Sequence, residues 1–131
     1  MSFLDTRYSN MSHDLFAYLQ EAIKIIKIKK QLKEKMKNYM VTHTFKSKEA
    51  KAKMGEVVSS MKMEDIVKSM TGETAKCQMT WNTPGETLTM FCWWKGTDPD
   101  AINKQLESMN DFFEPHQFTE CTDDVMDYNA N

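Results

Sequence analysis

The chain has 131 residues, 40% hydrophobic, 27% charged and 11% aromatic, so one domain with a packed core is expected and wholesale disorder is not. Only 4 Gly and 3 Pro argue against a many-turned β-sandwich, and no apolar run approaches the ~20 residues that cross a bilayer. The formal charge of −2 is split: residues 1–38 hold 8 basic and 4 acidic side chains, while residues 39–131 hold 9 and 15, setting a basic leading segment against an acidic body.

Residues 1–11 have no period and read as an arm, with Phe3, Leu4 and Tyr8 free to dock on something. Helix signals begin at Ser12, and Asp14 suits the positive end of a helix. No Gly or Pro interrupts residues 12–38. Leu15, Tyr18, Ala22, Ile25, Lys29, Leu32, Met36 and Tyr39 recur at alternating spacings of three and four. Phe16, Leu19, Ile23 and Ile26 widen the apolar face early, before Lys30 and Lys33 narrow it. An amphipathic helix over 12–38 is predicted.

At Tyr39 the period changes to two. Tyr39 to Phe45 alternates and is rich in strand formers, which predicts a first strand. Ser47 caps a second helix, with Ala50, Met54, Val57, Val58 and Met61 on one face. A short helical stretch from Glu64 to Met70 ends near Gly72. Lys76–Trp81 and Thr87–Lys95 then read as a hairpin about Pro84-Gly85. A two- or four-residue loop would set Trp81 opposite Leu88, Met79 opposite Met90 and Cys77 opposite Cys92. Asp98-Pro99 opens a last helix that Pro115 closes, and His116–Thr122 forms a last strand before an acidic tail, 123–131.

The order over 39–122 is β-α-β-β-α-β, which predicts an α+β ferredoxin-like plait preceded by an extra N-terminal helix. Such a sheet carries both helices on one face. Its third strand has Phe91 and Trp93 on one side and Met90, Cys92 and Trp94 on the other, so both faces are expected to be at least partly covered.

The segment Met90-Phe91-Cys92-Trp93-Trp94-Lys95-Gly96-Thr97-Asp98-Pro99-Asp100-Ala101-Ile102 resembles small ferredoxin-like proteins of the dimeric α+β barrel superfamily, among them uncharacterised bacterial domains of the nickel-responsive protein type. The resemblance covers about residues 39–122. It implies pairing through the sheets and, in some members, metal binding through histidines or cofactor-independent monooxygenase chemistry. The helix at 12–38 departs from that pattern, and no metal-ligand set matches residue by residue.

Candidate chemistry is sparse. His43 sits between Val41 and Phe45 on one face, either as a hydrogen-bonded core histidine or as a polar group in a cavity. His116 begins a strand that neighbours the first in a plait, so His43 and His116 are weak metal candidates. Trp81 and Trp93 would join His43 around a ligand, or serve as packing. Cys77, Cys92 and Cys121 lack CxxC spacing and are odd in number. They imply neither a disulfide framework nor a zinc site and fit a reducing compartment such as the cytoplasm, with no signal peptide. The 12 methionines read as core filler or as a flexible ligand surface. The lysines of residues 24–37 read as a solvated face, with contact to a membrane surface less favoured, and no nucleic-acid motif accompanies them. No nucleophile elbow, phosphate loop or dinucleotide fingerprint is present, and no cofactor is indicated.

The expected function is therefore a non-enzymatic interaction module. It would form a homo-oligomer or join a larger assembly through Leu15, Leu19, Ile23, Ile26, Met90 and Trp94. The alternative is a small-molecule or metal-binding protein, with an oxygenase as one form.

Overall fold

A computed structural model describes residues 13–130. The arm at 1–11, the cap at Ser12 and the last residue of the tail lie outside the described residues. The chain divides after Glu34 into two compact units. The first contributes α1 (His13–Glu34), with Asp14 in its first turn and Lys33 in its last. Leu15, Leu19, Ile23 and Ile26 are all exposed on it. The helix stops four residues earlier than its apolar rhythm suggests, because Lys37 and Asn38 pair with Gly96 and Lys95 in a sheet. Among the described residues no helix is long and apolar enough to cross a membrane.

The second unit is mixed α+β. Its elements are β1 (Lys37–Thr44), α2 (Lys48–Ser59), α3 (Met63–Ser69), β2 (Ala75–Trp81), β3 (Thr89–Gly96), α4 (Pro99–Gln105) and β4 (Gln117–Cys121). The four strands form one antiparallel sheet in the order β2-β3-β1-β4. Local chemistry sets the helix starts. Ser47 accepts from the Ala50 amide at 3.0 Å and Asp98 from the Ala101 amide at 2.8 Å, each supplying a partner that a first helical turn lacks.

Alternation along β1 and β3 selects the core. Tyr39, Val41 and His43 are buried from the first strand, Phe45 just beyond it, and Met90, Cys92 and Trp94 from the third. Ile102, Leu106 and Phe113 pack against them. Gly96 permits a close approach, since a Cβ there would lie 2.9 Å from the Ile102 Cγ1 atom. Beyond Gln105 the α-helix gives way to a 3-10 turn over Glu107–Phe112, so the single helix expected up to Pro115 is broken. Asn110 lies in that stretch and its side chain takes a backbone partner, its Nδ2 donating to the Asn103 carbonyl at 3.4 Å.

The hairpin register differs from the expected one. Cys77 lies opposite Trp94, Met79 opposite Trp93, Thr80 opposite Cys92 and Trp81 opposite Phe91. A bulge at Gln78 adds one residue to β2, and residues 82–88 make a long connection in which Gly85 takes a φ of 56°. Either change breaks the pairing that a two- or four-residue loop would impose. Lys51 of α2 fastens this connection, its ammonium donating to the carbonyls of Thr83, Gly85 and Thr87 at 3.0, 2.8 and 2.7 Å.

The second sheet face is only partly covered. Met40 remains 38%, Phe91 41%, Trp81 48% and Met79 53% exposed. Trp93 is half-buried there, its indole N–H donating to Asn38 Oδ1 at 3.0 Å, and Asn38 Nδ2 in turn donates to Asp123 Oδ1 at 2.6 Å. The expectation of cover on both faces thus holds for the helical side and for Trp93, but not for this row of large apolar groups.

Candidate ligand cavity

Between the helical side of the sheet, α2, α3 and the 3-10 turn lies a pocket of about 410 Å³. Apolar positions at helical spacing, Met54 and Val58 on α2 and Ile66, Val67 and Met70 on α3, form one wall. The sheet supplies His43, Cys77, Thr80, Met90, Cys92 and Trp94, and Leu106, Met109 and Phe113 close the far side. Met63 and Val67 line it while being 73% and 55% exposed, so the cavity opens beside α3. Thioether and aliphatic walls of this kind adapt to an apolar guest.

Strand alternation turns the inward residues of β1 and β3 toward this side of the sheet, where the Trp94 indole N–H acts on the Cys92 sulfur. His43 Nε2 is buried without a hydrogen-bond partner, and His43 is 1% and Trp94 0% exposed. Buried polar atoms are nearly always partnered, because leaving one unpaired costs about 1–3 kcal/mol.

The remaining ring nitrogens are bonded in a chain. His43 Nδ1 and His116 Nδ1 lie 2.8 Å apart, and His116 Nε2 lies 2.7 Å from Asn110 Oδ1. Asn110 uses its Nδ2 toward the Asn103 carbonyl, so its Oδ1 faces His116 as an acceptor. His116 therefore carries its proton on Nε2, accepts at Nδ1 from His43 Nδ1–H, and leaves His43 Nε2 as a bare lone pair. Burial, assisted by the His116 charge, pulls His43 down to about 4, and burial lowers His116 as well.

Beside this chain, the Thr80 hydroxyl lies 3.2 Å from Cys92 Sγ and 3.6 Å from Cys77 Sγ. All three cysteines are free. The Cys92 thiol supports the Cys77 thiolate by hydrogen bonding, and with Thr80 it outweighs burial and holds Cys77 down at about 7. The same pairing and burial push Cys92 up.

The structure redistributes the residues singled out from sequence. His43 is a cavity wall, but Trp81 and Trp93 lie on the opposite sheet face and do not converge with it. Met90 and Trp94, expected at an interface, are buried beneath the helices instead, because their parity along β3 turns them inward. His43 and His116 do meet, yet they bond to each other, and among the described residues no three His, Cys, Asp or Glu side chains gather where a metal ion could sit. The tail carboxylate of Asp123 is engaged by Asn38. Asn110 and Thr80 were missed, and only the folded register brings them to the site.

No protein-family model, curated protein or solved structure matches this chain.

Proposed function

We propose that residues 37–121 form a ferredoxin-like plait whose role is to hold a small, largely apolar molecule between sheet and helices. The plait is supported by the strand order, the antiparallel pairing throughout, and helical crossovers from β1 to β2 and from β3 to β4. The observation that carries the ligand reading is the apolar pocket of about 410 Å³, lined by methionines and aliphatic side chains with His43, Cys77 and Thr80 among them. An apolar concavity of this size with a few polar groups is the usual form of a small-molecule site. The reading is one of binding, and no catalytic group is assigned. The uncharged fluorophore N-phenyl-naphthylamine should bind saturably at one site. Val58→Trp, which fills the cavity from α2, should abolish that binding while the far-ultraviolet circular dichroism stays unchanged. No saturable binding up to the probe's solubility limit rejects the reading.

The open sheet face supports a second role, self-association. Met40, Met79, Trp81 and Phe91 share one side of the sheet and stay substantially exposed, and contiguous apolar patches on soluble domains commonly mark contacts with other proteins. The apolar stripe of α1, with Leu15, Leu19, Ile23 and Ile26 exposed, offers a further surface for the same purpose. Sedimentation of the wild-type chain should give a dimer or larger species, and Phe91→Lys should shift it toward monomer. A wild-type monomer at every concentration rules this role out.

A further inference from the structure

Sulfur gathers at the pocket. Six of the chain's 12 methionines and two of its three cysteines border it, Met54, Met70, Met90, Cys77 and Cys92 among them. Going beyond the apolar-guest reading and standing apart from it, we infer that Cys77 and Cys92 together hold a soft monovalent cation, Cu(I), on the sheet wall of this pocket.

The first ground is the placement of the two thiols. Cys77 lies opposite Trp94, and Cys92 stands two residues from Trp94 on the same strand. The two are therefore diagonal neighbours on one side of the sheet, and they hydrogen-bond to each other. The bulge at Gln78 sets Thr80 opposite Cys92 on that same side, so its hydroxyl lies 3.2 Å from Cys92 Sγ and 3.6 Å from Cys77 Sγ. Thiols close enough to share a proton are close enough to share a small cation that displaces it, since a coordinating thiol gives up its proton outright.

The second ground is the charge that results. One monovalent cation on two thiolates leaves a single negative charge spread over two sulfurs, with both thiol protons released to solvent. Donors for that charge are already in place. The Trp94 indole N–H acts on the Cys92 sulfur, and the Thr80 hydroxyl stands beside both sulfurs. Groups so placed orient metal ligands and tune them without touching the metal.

The third ground is selection among ions. Zinc takes four nitrogen, sulfur or oxygen ligands in a tetrahedron, and calcium takes more, all of them oxygen. Among the described residues no three His, Cys, Asp or Glu side chains gather, and no carboxylate lines the pocket. Two thiolates among thioethers are instead the donors that favour Cu(I). Cys77 is half-buried and Met63, on the rim, is 73% exposed, so an entry path exists beside α3.

Anaerobic titration of the full chain with Cu(I), delivered as its bicinchoninate complex, tests this. One Cu(I) per chain should transfer to the protein, and X-ray absorption of the loaded protein should show sulfur neighbours alone. Cys77→Ser and Cys92→Ser should each weaken binding about a hundredfold or more, while Cys121→Ser, at an exposed position, should leave it unchanged. Circular dichroism reports whether each variant folds. If the buried Cys92→Ser does not, Cys77→Ser at its half-buried position and the absorption spectrum still decide. Excess Zn(II) should not displace the bound Cu(I). The proposal is overturned by no transfer from bicinchoninate, by nitrogen or oxygen neighbours in the spectrum, by displacement with Zn(II), or by full binding in Cys77→Ser. Loss of the cation with Cys121→Ser overturns it too, as the mark of a surface thiol. Each of these outcomes leaves the apolar-guest reading to its own fluorophore test.

Discussion

Acidification from pH 7 to pH 4 is expected to remove on the order of 2–3 kcal/mol of folding stability through His43 alone. The folded ring titrates at about 4, against 6.5 for an unperturbed histidine, so below 6.5 the unfolded chain takes up a proton that the native chain refuses. The contribution is therefore intact above pH 6.5, declines between 6.5 and 4, and is flat below. His116, also lowered by burial, acts in the same direction. Urea unfolding at closely spaced pH values checks it, with His43→Gln as the comparison. The variant should lose most of the slope between pH 6.5 and 5, where few carboxylates titrate. An unchanged slope in the variant would assign the acid sensitivity elsewhere.

Trp94→Ala is expected to cost about 3–5 kcal/mol, the range for truncating a large buried aromatic. Trp94 is fully buried and sits between Tyr39 and Cys77 across the neighbouring strands. It already borders a hollow, so its removal enlarges an existing void that the frame does not close. Small domains hold only about 5–15 kcal/mol in total, and this one substitution should leave the protein close to unfolding at ambient temperature. Trp81→Ala is the contrast. That ring is 48% exposed on the open face and should cost about 1 kcal/mol or less. Chemical denaturation of both variants measures the difference, and similar losses would mean that the assignment of the two faces is wrong.

Much of the architecture was legible before any coordinates. The change of period at Tyr39, the Asp98-Pro99 start and the alternation through Met90–Lys95 are local signals, and each follows from backbone geometry that neighbouring residues share. The register of β2 against β3 was not legible. The seven-residue connection and the bulged residue at Gln78 leave no mark in composition, yet together they put Cys77 opposite Trp94 instead of Cys92. The meeting of His43 and His116 was half visible, since a plait makes the first and last strands neighbours. The proton arrangement was not, because it depends on Asn110, whose place is set by a 3-10 turn that the apolar rhythm of the last helix concealed. The cavity itself hides in a pattern that reads equally well as core. Methionines at helical spacing look the same whether the space before them is filled or empty.

The bonds that secure the helical walls all end on backbone carbonyls. Lys51 ties α2 to the hairpin connection, while Gln105 donates to the Ser69 carbonyl at 2.7 Å and the Cys77 amide to the Met70 carbonyl at 2.9 Å, holding the end of α3. These act as struts on the rim of a vault. Ties that end on carbonyls do not depend on which side chains face the pocket, so substitutions in its lining leave the frame around it in place.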